Sequence, residues 1–171
     1  MHARLAWLNS LTAGDAAKEL LQCCGSQRWA AEMTNRRPFT TLETLLTTAD
    51  NIWWSLDASD WLEAFRSHPK IGETKAADKV SAQSQQWSGQ EQSGVANASH
   101  ATIDSLAALN REYEQKFGLI FIICATGKTS EEMLAALRER LPHDPAAELP
   151  IAAAEQSKIT ALRLKKLLTS E

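Results

Sequence analysis

Apolar residues recur along this chain at the spacing of a helix surface. Leu42, Leu45, Leu46, Ala49, Ile52 and Trp53 form an i, i+3, i+4, i+7 stripe, and Thr40-Thr41-Leu42-Glu43 ahead of them reads as a capping box. Residues 15–24 predict an earlier helix closed by Gly25 as a left-handed residue. Ser26 caps a short helix carrying Trp29, Ala30 and Met33, which must stop before Pro38. Asp57 or Ser59 opens a helix with Trp61, Leu62 and Phe65 inward, ending by Ser67 because His68 precedes Pro69. Residues 70–84 are polar and small and predict a surface loop with room for a short helix, and a weakly marked helix follows near 84–93. The next helix is long, about 98–116, with Ile103, Leu106, Leu109, Tyr113 and Phe117 on one side and Gly118 ending it. Residues 119–125 have strand-like composition but no β-rich partner, so they read as a short buried extended segment or a helix start. Thr129 with Glu132 opens a helix with Met133, Leu134, Leu137 and Leu141 inward, stopped by Pro142. Asp144-Pro145 then starts a last helix to about Leu168, with Pro150 as a break or kink. About eight helices in a single bundle over residues 1–171 is the architecture this pattern predicts.

Composition sharpens the fold class. The chain has 27 Ala and 21 Leu but only two Val, a bias toward strong helix formers and away from strand residues. The reading is therefore all-α. Eighteen basic against 21 acidic residues give a net charge of −3, which argues against a nucleic-acid partner. The longest apolar run, Leu119 to Ala125, is far short of a membrane span, so no membrane partner is expected. The first residues hold no long apolar stretch of the signal-peptide kind. Three cysteines, with Cys23 and Cys24 adjacent, fit a reduced protein without a disulfide framework, and the cytoplasm is the simplest location.

The candidate chemistry narrows by elimination. Gly127-Lys128-Thr129 after an apolar run invites a phosphate-loop reading, but the glycine needed five residues earlier is Ile122. The four His and three Cys show no metal-ligand spacing. Cys124 reads as a small buried hydrophobe, with a Cys–His nucleophile as the alternative. His68 differs, because Ser67-His68-Pro69-Lys70-Ile71-Gly72 is a rigid mount for an imidazole at a helix end. Two readings stand for it: a helix-terminal His answering the C-terminal dipole, or a catalytic one. Trp87-Ser88-Gly89-Gln90-Glu91-Gln92-Ser93 gathers short hydrogen-bonding groups and one carboxylate, as either a polar helix face or a site. Arg163 lies on the edge of the last helix's apolar stripe. It either faces inward to an anionic partner or snorkels to solvent.

Several of these segments together resemble the 2-oxo-4-hydroxy-4-carboxy-5-ureidoimidazoline (OHCU) decarboxylases. His68-Pro69-Lys70-Ile71-Gly72 is similar to that family's HPxIG signature, Arg37-Pro38-Phe39 to its RPF turn, and Ser88-Gly89-Gln90-Glu91-Gln92 to its Ser-x-x-Glu-Gln segment. The stretch from Leu109 to Gly118, then Phe121 to Ala125, is similar to its long helix and buried segment, and Ile159 to Leu164 to its terminal helix. The departures are Leu119, where an aromatic is frequent, and Pro150 early in the last helix.

The resemblance implies an all-helical homodimer with no metal and no organic cofactor, converting OHCU to (S)-allantoin and CO2 at the last step from urate. It implies His68 as acid/base and Glu91 as the second essential polar residue. Pro69, Ser88, Gly89, Gln90, Gln92, Arg163 and the backbone of Phe121, Ile122, Ile123, Cys124 and Ala125 would line the substrate pocket. Such a substrate supplies its own electron sink in the adjoining ring, so orientation, charge placement and delivery of a proton to one face are what the protein must add. Two other functions remain: a helical interaction module without chemistry, suited by Ala-rich helices and six Trp, and a hydrolase of cyclic ureides.

Overall fold

Nine α-helices and one short 3-10 turn make up the regular structure of the described residues in a computed structural model, which describes residues 2–72 and 80–169. They are α1 (His2–Ser10), α2 (Ala13–Cys23), α3 (Gln27–Asn35), α4 (Leu42–Ser55), α5 (Ala58–Arg66), α6 (Ala82–Glu91), α7 (His100–Phe117), α8 (Ser130–Arg140) and α9 (Pro145–Thr169), with the 3-10 turn at Ser93–Val95 after α6. The all-α class expected from composition is the one found. Part of the loop expected over 70–84, residues 73–79, lies outside the described residues. Contacts divide the chain into two units, Met1–Ala64 with Ser157–Glu171, and Phe65–Gln156.

Local hydrogen bonding explains where most helices begin and end. Ser26 accepts from Trp29 N as the cap of α3, and Thr129 and Glu132 form the reciprocal box that opens α8. At α4 the box is shifted by one residue. Thr41, not Thr40, is the cap, and the Thr44 hydroxyl takes the place expected of Glu43. Gly118 closes α7 at φ 69°, as expected, but Gly25 does not close α2. There the chain leaves through Cys24 in an extended conformation (φ −145°), so no left-handed residue is needed. Pro150 sits inside α9 without ending it. Near the start of a 25-residue helix it removes one rung, and the many remaining rungs carry the helix through.

In the first unit, α2, α3 and α4 pack in succession, and the C-terminal part of α9 adds buried Leu164, Leu167 and Leu168. Buried Trp29 donates its indole N–H to Ala49 O at 3.1 Å, so a large apolar ring enters the core without an orphaned donor. Arg37, just before the cis peptide to Pro38, donates to the carbonyls of Leu8 and Leu11, both at 2.8 Å. Asn9 exchanges two hydrogen bonds with the backbone of Phe39. The Arg-Pro-Phe segment is thus fastened to the end of α1.

The second unit is built on α7, α8, the non-helical segment 119–125 and the N-terminal part of α9. Leu106, Tyr113, Phe121, Ile123, Met133 and Leu137 form its apolar core. Ile103, which shares one side of α7 with Leu106 and Tyr113 in the sequence pattern, is 38% exposed. The buried stripe of α7 starts one turn later at Leu106, and Ile103 instead lines an open cavity of about 190 Å³ with Ile71, Val95 and Asn110.

A polar knot crosses this core. Glu148, fully buried, accepts from Tyr113 Oη at 2.5 Å and from Arg140 Nε at 2.6 Å through Oε1, while Oε2 meets His143 Nδ1 at 2.9 Å. Arg140 Nη1 also donates to Ile122 O at 2.6 Å, and its guanidinium lies 4.6 Å from the Phe121 ring centroid. Burial, then the bond to Glu148, pushes the Tyr113 hydroxyl well above its ordinary pKa.

Gly94 is needed for a close approach, since a Cβ there would stand 2.0 Å from Lys128 O. Gly94→Ala therefore destabilises the protein by about 1–3 kcal/mol in urea unfolding. Glu148→Leu costs about 3–5 kcal/mol by stranding a buried guanidinium. The double variant Arg140→Met, Glu148→Leu loses clearly less than the sum of its singles; strict additivity would show that the pair is not coupled.

Candidate active site

The mount of His68 forms as its sequence dictates. α5 ends at Arg66, the His68 N–H closes back on Phe65 O at 3.1 Å, and Pro69 forbids further helix. His68 and Pro69 are both buried, His68 at 7% exposure. Three residues on, Gly72 takes φ +87° and its N–H donates to Gln92 Oε1 at 2.9 Å. That bond ties the His68–Gly72 turn to the end of α6.

α6 is capped by Ser81, whose hydroxyl accepts from Ser84 N. Its buried face is Ser84, Trp87, Ser88 and Glu91, at i, i+3, i+4 and i+7. Gly89 and Gln90 lie on the exposed side of the same helix, and Gln92 is half-buried beyond its end. The helix period therefore separates Ser88 and Glu91 from Gly89 and Gln90.

Residues 120–125 are neither helix nor strand. Phe121, Ile122, Ile123 and Ala125 are buried, and Cys124 is half-buried. Several of the backbone groups reserved for substrate in the sequence reading have protein partners. Ile122 O accepts from Arg140, Cys124 N donates to Glu155 Oε2 at 2.8 Å, and Ala125 O accepts from Lys128 N at 3.0 Å. The last bond closes a turn with Gly127 at φ +78°, so Gly127-Lys128-Thr129 serves as a turn and helix cap.

α9 joins these pieces. His68 Nε2 lies 2.7 Å from Oε1 of Gln156, a residue with no exposed surface. The preceding residue, Glu155, holds the Cys124 amide. The Cys124 thiol is raised above its ordinary pKa by burial, then by the carboxylates of Glu155 and Glu91. A thiol held protonated is a poor nucleophile, which weighs against the Cys–His alternative. One region of the second unit thus contains an imidazole, two carboxylates and a segment of irregular backbone.

Arg163 belongs to the first unit. It is 1% exposed, with Nη1 donating to Gln22 O at 3.2 Å, so the snorkelling alternative does not hold. It packs in the same stretch of α9 as buried Ile159, Thr160 and Leu164, and near Cys24, whose thiol burial drives up to about 12. Among the described residues no group of three or more His, Cys, Asp or Glu is arranged to hold a metal ion.

Sequence reading missed Glu155 and Gln156. The signal was present: Ala152, Ala153, Gln156, Ile159, Thr160 and Arg163 follow the buried stripe of α9, and a Gln in such a stripe needs a polar partner. Arg140 and Glu148 were missed because their partners lie on different helices.

Comparison with known proteins follows the same lines. The OHCU decarboxylase family model matches residues 9–165. A uric acid degradation bifunctional protein of Arabidopsis thaliana is 43% identical over 150 residues, covering 87% of this chain and 46% of that protein. An OHCU decarboxylase of Amia calva is 31% identical over 140 residues, covering 81% of this chain and 79% of that one. The chain spans less than half the length of the bifunctional relatives it matches. A crystal structure of OHCU decarboxylase in the presence of (S)-allantoin superposes with a TM-score of 0.77 at 42% identity, over 90% of this chain and 99% of that one. With a family model matched from residue 9 to residue 165 and relatives at this identity, the chain belongs to the OHCU decarboxylase family.

Proposed function

We propose that this chain decarboxylates OHCU to (S)-allantoin and CO2 in urate degradation, as a homodimer in the cytoplasm and without metal or organic cofactor. The observation that carries the proposal is the pairing on α9. Gln156 holds His68, and neighbouring Glu155 holds the backbone of Cys124.

The chemistry asks little else of the protein. OHCU has its carboxylate and hydroxyl on one ring carbon, and its ureido group on the next, a carbon doubly bonded to nitrogen. When the bond to CO2 breaks, its electron pair forms a C=C bond between these two carbons, the C=N π pair moves onto the ring nitrogen, and that nitrogen takes up a proton. The resulting enol loses its hydroxyl proton as the ureido-bearing carbon gains one, so one proton is consumed overall. His68 is the group we assign to the hydroxyl and carboxylate end, moving the proton to one face of the ring. Glu91 orients the ring or the imidazole.

Ser88 shares the buried face of α6 with Glu91 and is assigned to the ureido and ring amides, together with Pro69 and the backbone of 121–125. Gln92 contributes through its NH2 end, since its oxygen holds Gly72. Gly89 and Gln90 lie on the outward side of α6, and their assignment to the pocket rests on the sequence resemblance alone. Arg163 is assigned to a substrate oxygen on the sequence resemblance alone, by the bidentate geometry that guanidinium favours.

The test uses urate oxidised by uricase and hydrolysed to OHCU, followed by circular dichroism. Rapid appearance of optically active allantoin with release of CO2 is expected with the chain, against slow formation of racemate without it. An unchanged trace overturns the proposal, and consumption of OHCU without CO2 points to a hydrolase. His68→Ala lowers kcat by about 10²–10⁴-fold, the usual range for a lost acid/base group. Glu91→Gln keeps the shape of that side chain and also lowers kcat; wild-type rates in either variant would remove the residue from the mechanism. Arg163→Lys keeps the charge but loses the planar fork, so KM rises and kcat/KM falls. Unaltered kinetics would cancel its assignment.

A further inference from the structure

We infer that Gln156 is a positioning residue for the reaction, fixing which nitrogen of His68 carries the exchangeable proton. The inference rests on the reading of His68 as the acid/base group.

An amide oxygen only accepts. With Gln156 Oε1 2.7 Å away, Nε2 is a donor in both charge states of the ring. The proton that comes and goes is therefore the one on Nδ1, and substrate chemistry at this imidazole runs through Nδ1. A ring without a fixed partner divides its neutral form between two tautomers, and only one presents a lone pair to a given proton. The acceptor here is itself immobile, being fully buried on a long helix.

The identity of the acceptor matters as much as its position. α9 offers an amide and a carboxylate at adjacent positions, and the ring meets the amide, while the Glu155 carboxylate takes the Cys124 N–H. A carboxylate against Nε2 would favour imidazolium and draw the ring's pKa upward. A neutral acceptor orients the ring without adding that bias. Among the described residues, the other charged groups on the surrounding elements are Arg66 and Lys70 in the same stretch of chain, Glu91 on α6, Glu155 on α9, and Glu114 on α7. Lys70 is paired with Glu114 at 2.7 Å. None of the three named carboxylates needs to move for the amide to perform this role.

The position also stands out within its helix. Ala152, Ala153, Ile159 and Thr160 share the buried stripe, and an apolar side chain of Gln's length would satisfy packing there. A buried amide is costly without partners.

Two variants test the inference, each checked for folding by its amide spectrum. Gln156→Met keeps the volume and removes the acceptor; Gln156→Glu keeps the acceptor and adds a charge. Imidazole nitrogen shifts of His68, recorded without substrate, read tautomer and titration directly, and pH profiles of kcat and KM with OHCU read the consequence. The neutral wild-type ring is expected as the Nε2–H tautomer. Gln156→Met is expected to mix the tautomers and lower kcat by about 10-fold or more while KM changes less than about two-fold, the pattern of lost orientation rather than lost binding. Gln156→Glu is expected to retain Nε2–H and raise the His68 titration by about one pH unit or more, carrying the corresponding limb of the kcat profile with it. An Nδ1–H tautomer in the wild type, or unchanged tautomer and titration in both folded variants, overturns the inference. If the tautomer responds as expected while no variant or wild type converts OHCU, the proposed function fails and the positioning of His68 by Gln156 survives.

Discussion

Polar side chains on a buried helix face must find partners, and on α9 that requirement organises the site. Glu148, Glu155 and Gln156 lie at i, i+7 and i+8, on one side of the helix where it passes through the second unit. Glu148 binds Arg140, Tyr113 and His143, and through Arg140 reaches Ile122 O. Glu155 takes the amide of Cys124 two residues further along that segment. Gln156 takes His68. One face of one helix therefore helps fix two points of the irregular segment's backbone, Ile122 O by way of Arg140 and Cys124 N directly, and the ring of the proposed acid/base. Each contact satisfies a group that would be costly to bury alone.

This arrangement suits a reaction in which the substrate carries its own electron sink. The protein then has to hold a small anion in one orientation and supply a proton from one side. Immobile groups serve that purpose better than mobile ones. His68 is held between a proline that stops its helix and a buried amide, and Glu91 sits on the inward face of a short helix whose end is tied to the same turn. Irregular backbone survives in the core because side chains from α8 and α9 supply hydrogen bonds that a helix or sheet would otherwise provide.

Much of the fold was legible because its signals are local. The Ala and Leu bias, the stripe of α4, the Ser26 cap, the Thr129–Glu132 box and the close at Gly118 each depend on a few neighbouring residues. Failures arose where two local solutions compete. Thr40 and Thr41 are equally good caps by composition, and the Thr44 hydroxyl decided between them. Gly25 can adopt a left-handed close, but Cys24 had already left the helix. Pro150 reads as a breaker, yet a long helix absorbs a single missing rung near its start. Within the site, His68 and Glu91 could be picked out by their mounts, whereas Glu155 and Gln156 gain meaning only from residues far away in sequence. Helical period alone could have separated buried Ser88 from exposed Gly89 and Gln90.

The claim that α9 holds the site together is tested most directly by amide hydrogen exchange at Cys124 in the folded protein. With the carboxylate of Glu155 in place, this N–H is expected to be strongly protected. Glu155→Ala is expected to accelerate its exchange by about tenfold or more, equivalent to about 1.4 kcal/mol of lost protection, while amides in the centre of α7 keep their rates. Equal protection at Cys124 in both proteins would contradict the account.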